Sequence, residues 1–322
     1  HFLVFIKGGI FMSVGKSIKR VDAYEKVTGG AKYTDDLCPR NALVAKVLHS
    51  TIANGVVKSI DTSKAEKLAG VEKIVTCFDV PDILFPTAGH PWSTQASHQD
   101  IADRKLLNKR VRFYGDDIAA VIADNEVNAN RALKLIKVEY EEYEPVLDVF
   151  KAMENEATTI HPEISKSNIL AHSDYELGNY NNAVKEKGLL FFEGEYETQV
   201  VQHCHIEPPI SYSYMENDRI VVVSSTQIPH IVRRVVGQAL GISWGKVRVI
   251  KPYIGGGFGN KQDILYEPLN AYLTTQVGGR CVKLEISREE TFSSTRVRHS
   301  IKFKMKTAVR KDGTFVPRKV EA

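Results

Sequence analysis

The chain lacks closely spaced cysteines. Its four cysteines, Cys38, Cys77, Cys204 and Cys281, stand far apart in the sequence and form no C-x-x-C pair. Structural zinc sites and iron–sulfur clusters usually draw on such pairs, so we expect neither in this chain. Four cysteines in 322 residues are also too few for a disulfide framework. We therefore expect four reduced thiols, which fit a cytoplasmic location.

The sequence also lacks long apolar runs and a strong excess of one charge. The apolar run over residues 2–6 is far shorter than the ~20 residues of a membrane-spanning helix. There are 43 Lys and Arg residues against 39 Asp and Glu, which gives a net charge of +4. This balance favours neither nucleic acid nor a membrane surface as a partner. With 43% hydrophobic residues, the composition is typical of a globular protein with one large or two ordinary domains.

Residues 1–17 stand apart from the rest, and no basic region precedes their apolar run as it would in a signal peptide. Two adjacent glycine codons read GGNGG, and a lysine codon reads AAA or AAG. The codons of Lys7, Gly8 and Gly9 can therefore spell AAAGGAGG, a purine-rich ribosome-binding sequence just before the codon of Met12. We expect residues 1–11 to be translated upstream sequence and treat residues 1–17 as a leader.

Hydrophobic periodicity predicts a mixed α/β segment over residues 18–145. The predicted elements are an extended pair over 41–62, a helix over 62–69, a strand over 71–78, a long loop over 81–100, strands over 111–114 and 118–123, a helix capped by Asp124, and a strand over 138–141. Residues 146–180 are polar and irregular, which indicates a linker between two domains.

A second α+β segment follows over residues 181–322. The predicted elements are a strand over 190–200, a hairpin over 212–224 that turns at Asn217 and Asp218, a helix from Pro229 to Gly241, a strand over 246–250, a helix over 263–277, a strand over 282–286, and a hairpin over 301–320. The last strand pattern reaches the end of the chain, so we expect this domain to be truncated.

Glycine dominates residues 255–259, which lie between a predicted strand and a predicted helix. Glycines at such a place let backbone N–H groups approach an anion closely. Neither familiar phosphate loop fits, because Asn260 stands where each needs a glycine and Gln262 replaces the Ser or Thr that follows the lysine of a Walker A loop. A tight turn made only for packing is the alternative.

His203 and His205 precede Glu207 in a segment with extended character. On a strand the two rings would share one face, so a metal site is one interpretation. The interpretation we favour is that these side chains pack or form hydrogen bonds beneath a neighbouring site.

The order of motifs around the glycine stretch is more specific than any one of them. Residues 224–227 (S-S-T-Q) end a predicted strand, and a helix, a strand, the G-G-G-F-G stretch and a second helix follow. This order resembles the molybdopterin-binding large subunits of the xanthine dehydrogenase and aldehyde oxidase family. Further similar segments are residues 20–36, 114–116, 205–208 (H-I-E-P), 288–290 and 298–299. Residues 227–230 and 259–263 are most similar to bacterial xanthine dehydrogenases whose molybdenum subunit is a separate chain.

The resemblance implies an α+β architecture in three parts. These are a hammerhead-like α/β domain over residues 18–145, a linker over 146–180, and the first part of a molybdopterin-binding α+β domain over 181–322. The implied cofactor is molybdenum–molybdopterin. On this resemblance Gln227 donates a hydrogen bond to an oxygen ligand of molybdenum, and Phe258 and Gly259 present backbone N–H groups to the metal's oxo group and the pterin dithiolene. Gly256 and Gly257 permit that approach, and no side chain here binds the metal directly.

Gln262 is the residue that the resemblance assigns to the substrate. It occupies the place where animal xanthine dehydrogenases have a substrate-binding glutamate. An amide donates and accepts hydrogen bonds but cannot act as a carboxylate. Purine binding therefore stays possible, while the identity of the substrate stays open.

The implied reaction is hydroxylation of a purine such as xanthine or hypoxanthine, or of a related N-heterocycle, with oxygen taken from water. Electrons would leave through [2Fe–2S] clusters and FAD on partner subunits. The family's catalytic glutamate and its A-F-R-G segment are absent from this sequence, so we assign no catalytic residue and expect the chain alone to be inactive. A C-terminal segment or chain would supply them. The alternatives are a non-catalytic cofactor-binding or assembly module, or an aldehyde oxidoreductase of the same family.

Overall fold

The computed structural model describes residues 5–6, 9–10, 14–87, 100–154 and 156–322. The strands are β1 (Phe5–Ile6), β2 (Gly9–Ile10), β3 (Leu43–His49), β4 (Gly55–Asp61), β5 (Val71–Thr76), β6 (Arg110–Val111), β7 (Asp117–Ala123), β8 (Lys137–Glu142), β9 (Leu190–Thr198), β10 (Ile210–Glu216), β11 (Arg219–Ser224), β12 (Val247–Ile250), β13 (Val282–Glu285), β14 (Ile301–Val309) and β15 (Phe315–Glu321).

The helices lie between groups of these strands along the chain. They are α1 (Ala23–Val27), α2 (Thr34–Leu37), α3 (Glu126–Leu133), α4 (Val149–Ala152), α5 (Tyr180–Ala183), α6 (Pro229–Leu240), α7 (Glu267–Gln276) and α8 (Arg288–Ser294), with 3-10 turns at Trp244–Lys246 and Asn260–Gln262. Within the described ranges, no helix combines the length and the apolar character needed to cross a membrane.

A seven-stranded sheet contains strands of both predicted segments, in the order β12-β11-β10-β13-β3-β7-β5. Strand β13 of the second segment pairs in parallel with β3 of the first, with Val282 opposite Leu43. Helices α6 and α7 pack against this sheet, and one hydrophobic core includes Val47, Val235 and Leu284. The two segments therefore share a core, and the arrangement is the α+β fold that the sequence predicts.

Local sequence signals place several elements correctly. Asn217 and Asp218 turn the β10–β11 hairpin with φ of 47° and 61°, the left-handed backbone that tight two-residue turns require. Pro229 begins α6, where its missing N–H costs nothing, and Gly241 ends the helix with a φ of 65°. These predictions are confirmed because each rests on one residue's own backbone preference.

Other predictions are wrong in detail. Residues 62–69 form turns instead of a helix, and α3 is capped by Asn125, whose side chain accepts the N–H of Asn128, instead of by Asp124. The strands predicted as a pair over 41–62 do not pair with each other, because β3 pairs with β7 and β4 with β8. The helix predicted from 263 begins at Glu267. Residues 88–99 of the predicted loop over 81–100 lie outside the described residues.

A largely buried charged cluster joins the two segments. The Nδ1 atom of His49 on β3 lies 3.0 Å from a carboxylate oxygen of Asp117, and its Nε2 atom lies 3.5 Å from Glu290 on α8. Burial lowers the pKa of His49, but the two carboxylates outweigh it and raise the value to about 9. Burial opposes ionisation of Glu290, yet His49 and Ser287 bring its pKa down to about 2.

We expect His49→Gln to remove a pH-dependent part of the free energy of unfolding. The folded pKa of about 9 lies above the ordinary value of 6.5, so the stabilisation is complete below pH 6.5 and is lost as pH rises through 9. The wild-type protein should lose roughly 1–3 kcal/mol more than the variant across this window. Urea unfolding at several pH values measures it, with the exposed His230→Gln as control. Parallel pH profiles for wild type and His49→Gln would contradict the assignment.

Substituting Leu284→Ala should destabilise both segments together. This side chain is fully buried on β13 beside β3, so its loss leaves a cavity worth about 2–5 kcal/mol. Because one sheet spans both segments, thermal unfolding should remain a single transition at a lower temperature. The exposed Lys304→Ala on β14 serves as control and should change little. Two separated transitions in the variant would show that the segments do not share a core.

Candidate functional site

The site begins at one edge of the seven-stranded sheet. Strands β11 and β12 are parallel neighbours, with Val221 opposite Arg248, so their carboxyl ends lie at the same edge. Residues 224–227 continue from β11 toward α6, and the glycine stretch follows β12. Parallel pairing therefore places the S-S-T-Q segment beside the glycine loop, although about thirty residues separate them in sequence.

Gln227 is held at both its backbone and its side chain. Its N–H donates to the carbonyl of Lys261 at 2.8 Å, and its Oε1 accepts the N–H of Gly259 at 3.2 Å. Because the amide oxygen accepts that N–H group, the Nε2 group lies on the other side of the amide, and it donates to no protein acceptor among the described residues. The side chain of Gln227 is itself exposed. The loop thus orients one neutral hydrogen-bond donor toward solvent.

The glycine loop leaves no room for side chains at its contact with Gln227. A Cβ atom at Gly257 would lie 2.4 Å from Gln227 Oε1, and one at Gly256 would lie 3.0 Å from His205 Cβ. Gly256 and Gly259 also have φ of 104° and 95°, which side-chain-bearing residues rarely adopt. Glycine is therefore required by contact at one position and by backbone conformation at others.

Phe258 departs from ordinary backbone geometry within the loop. Its φ is 49°, an unusual value for an aromatic residue and one that clusters at functional sites, and 72% of its side chain is exposed. Its N–H has no protein acceptor among the described residues, whereas the N–H of Gly259 is donated to Gln227. The predicted donation of the Phe258 N–H to a cofactor fits this geometry, and that of Gly259 would require Gln227 to move.

His205 lies beneath the loop and is completely buried. Its Nδ1 atom lies 2.5 Å from the carbonyl of Glu207, and its Nε2 atom lies 3.0 Å from the amide nitrogen of Asn260. Burial, followed by the charge of Lys261, lowers the pKa of His205, so the ring is neutral. A carbonyl on one side and an amide donor on the other place the proton on Nδ1.

The metal interpretation of the His203–Glu207 segment loses its geometric basis. Residues 203–205 do not form a strand, and Cys204 between the two histidines has a φ of 49°. Both ring nitrogens of His205 have protein partners. In the described part of the chain, no group of three or more His, Cys, Asp or Glu side chains is arranged to hold a metal ion. The structural role of His205 is the one that its contacts support.

Glu207 and Lys261 form an ion pair that the sequence analysis did not identify. The Lys261 ammonium lies 2.7 Å from Glu207 Oε2, and only 1% of the lysine side chain is exposed. The same carboxylate oxygen accepts the N–H of Gly255 at 2.9 Å. The only sequence signal was that each residue lies within a recognised motif, which does not reveal a contact across 54 residues.

Gln262 follows the loop in the 3-10 turn. Its N–H donates to the carbonyl of Gly259 at 3.1 Å, and its side chain is exposed. The structure therefore brings Gln227, Phe258 and Gln262 together around one loop with exposed side chains. The assignment of Gln262 to a substrate stays a prediction.

Two protein-family models match the chain. A molybdopterin cofactor-binding domain matches residues 160–322, and the a/b hammerhead domain of aldehyde oxidase and xanthine dehydrogenase matches residues 28–144. The second match covers most of the segment predicted to be hammerhead-like, and the first begins inside the predicted linker.

Named relatives of the chain carry molybdenum-binding or molybdopterin subunit names. The chain is 47% identical over 297 residues to the xanthine dehydrogenase molybdenum-binding subunit of Escherichia coli O157:H7, a match that covers 92% of this chain and 39% of the relative. It is 33% identical over 316 residues to the nicotinate dehydrogenase large molybdopterin subunit of Eubacterium barkeri, with 98% of this chain and 71% of the relative covered.

Among solved structures, the aldehyde oxidoreductase of Desulfovibrio desulfuricans matches with a TM-score of 0.82 at 27% identity. The match covers 95% of this chain and 34% of that one. The chain thus spans well under half the length of several relatives that it matches. The chain belongs to the xanthine dehydrogenase and aldehyde oxidase family and contains its molybdopterin cofactor-binding domain.

Proposed function

We propose that this chain forms part of a molybdenum hydroxylase that oxidises a purine or a related N-heterocycle. The observation that carries the proposal is the orientation of Gln227. Its Oε1 accepts the Gly259 N–H, so its amide donors face outward beside a glycine loop. A neutral donor fixed in this way suits an oxygen atom that carries partial negative charge.

The residues present fit a molybdenum–molybdopterin cofactor. Gln227 Nε2 and the N–H of Phe258 would hold it by hydrogen bonds, and the missing side chains of Gly256 and Gly257 let the loop pack directly against His205 and Gln227. When bound, the cofactor supplies two-electron oxidation in which water provides the oxygen. The chain's own part is to bind the cofactor, to fix the direction of these donors and to keep His205 neutral beneath the loop.

Two named relatives favour an N-heterocyclic substrate. Those at 47% and 33% identity carry the names of enzymes that act on xanthine and nicotinate, and both molecules are N-heterocycles. The aldehyde oxidoreductase is less similar, at 27% identity. An exposed amide at Gln262 can donate to a ring nitrogen and accept from a ring N–H group. We propose Gln262 as a substrate contact on this basis.

The proposed enzyme is larger than this chain. The relatives' names describe molybdenum-binding or molybdopterin subunits, which implies other subunits. We propose an iron–sulfur subunit and an FAD-binding subunit as electron-transfer partners, and a further molybdenum-domain segment that supplies the catalytic glutamate.

The test is elemental and catalytic analysis of the native complex that contains this chain. We expect near-stoichiometric molybdenum and pterin, and oxidation of xanthine or nicotinate with an artificial electron acceptor at a higher kcat/KM than benzaldehyde. A well-folded complex without molybdenum would remove the hydroxylase proposal. Preferential oxidation of benzaldehyde would instead assign the complex to aldehydes.

Gly257→Ala should impair this site without unfolding the protein. Its Cβ would meet only the end of the flexible Gln227 side chain, so the amide should swing away at little cost in stability. Loss of one hydrogen bond to a charged group predicts a decrease in kcat of about 10- to 100-fold. Activity assays and thermal melts measure the two effects.

Gly245→Ala is the matched control, because its Cβ would meet nothing closer than 3.6 Å. Gln227→Ala should lose as much activity as Gly257→Ala, and the double variant should lose no more than either. Additive losses would mean that the glycine acts independently of Gln227.

A further inference from the structure

The buried ion pair beneath the glycine loop has contacts that go beyond its two members. Side-chain exposure is 1% for Lys261 and 12% for Glu207, and the charged atoms lie 2.7 Å apart. Burial lowers the pKa of Lys261, and the Glu207 carboxylate opposes that effect. A buried pair of this kind adds little net stability compared with apolar side chains of the same volume, because desolvation offsets the attraction. The role of the pair is therefore better judged from the hydrogen bonds that its two members make than from its contribution to stability.

Glu207 fixes the start of the loop. Its backbone N–H donates to the carbonyl of Gly255 at 3.1 Å, and its Oε2 accepts the Gly255 N–H at 2.9 Å. A Cβ at Gly255 would lie 2.5 Å from Glu207 Cβ, so the Glu207 side chain packs directly against the Gly255 backbone. On the other side, Arg288 donates to the carbonyl of His205 at 2.6 Å and holds the segment that carries Glu207.

Lys261 holds the end of the loop and the backbone of Gln227. Its carbonyl accepts the Gln227 N–H at 2.8 Å, two residues beyond the Gly259 N–H that orients the Gln227 side chain. A displacement of Lys261 would therefore move the backbone and the side chain of Gln227 together. The ammonium can be displaced only by leaving Glu207, which is itself tied to Gly255.

We propose that Glu207 and Lys261 are positioning residues that clamp both ends of the glycine loop and thereby aim the Gln227 amide at the molybdenum cofactor. The inference rests on the proposed function for its catalytic consequence. The clamp itself is a property of the protein and can be measured without turnover.

The experiment uses the native complex with the double variant Glu207→Gln/Lys261→Met. The substitutions remove both charges together, keep similar volumes and retain an acceptor for the Gly255 N–H. We expect a melting temperature within a few degrees of wild type and at least tenfold faster hydrogen exchange of the loop amides. We also expect about tenfold lower kcat at unchanged KM for the N-heterocycle.

Glu207→Asp provides a second route if the double variant folds poorly. It keeps both charges, but a carboxylate shortened by one methylene cannot reach Gly255 and Lys261 together, so loop exchange should again accelerate. The control is Glu285→Gln/Lys283→Met, which changes a pair 3.1 Å apart on β13 whose further ion pair is with Asp35 and not with the loop. It should leave loop exchange and kcat unchanged.

The outcomes separate the clamp from the proposed function. Absence of molybdenum and turnover in the wild-type complex would overturn the proposed function, while loop exchange would still test the clamp. Wild-type exchange rates in both clamp variants would overturn the clamp. Faster exchange with wild-type kcat, or equal losses in the control pair, would overturn the claim that the clamp aims Gln227 for the reaction.

Discussion

The close contact between a glycine loop and one amide side chain is the constraint on which the site depends. Gly257 lies so near Gln227 that a methyl group would displace the amide oxygen, and Gly259 supplies the N–H that fixes that oxygen. This contact requires two chain segments at the same sheet edge, which the parallel pairing of β11 and β12 provides. Beneath the loop lie neutral His205, which contacts Asn260, and the ion pair of Glu207 and Lys261.

The scaffold of the site extends into the first segment of the chain. Strand β13 joins β10 to β3, so the sheet that carries the loop continues through β7 and β5 without interruption. His49 adds an electrostatic connection, because it lies between Asp117 on β7 and Glu290 on α8. Asn260 of the loop region also contacts Thr295, which directly follows α8. The hammerhead-like segment is therefore part of the structural support of the cofactor-binding domain.

The residues of the site are suited to orienting hydrogen-bonded groups. Gln227 and Gln262 are neutral, and His205 is kept neutral by burial, so none of the three is suited to a large change of charge during a reaction. Lys261 and Glu207 keep their charges against each other instead of exposing them to a ligand. Such a set is suited to hydrogen bonding and orientation and not to proton transfer.

The sequence by itself determined the elements whose signals are local. Pro229, Gly241 and the Asn217–Asp218 turn favour particular backbone angles through their own covalent structure. The glycines at 255–259 indicate a loop whose backbone can approach other groups closely. The order of these motifs was enough to indicate the family and the cofactor. Only the tertiary structure decided which strands pair beyond the predicted hairpins, which loop N–H orients the Gln227 side chain, and that Glu207 meets Lys261. Those contacts join residues tens of positions apart. Each depends on how the whole chain folds, so neither stretch of sequence carries a local pattern that reveals it.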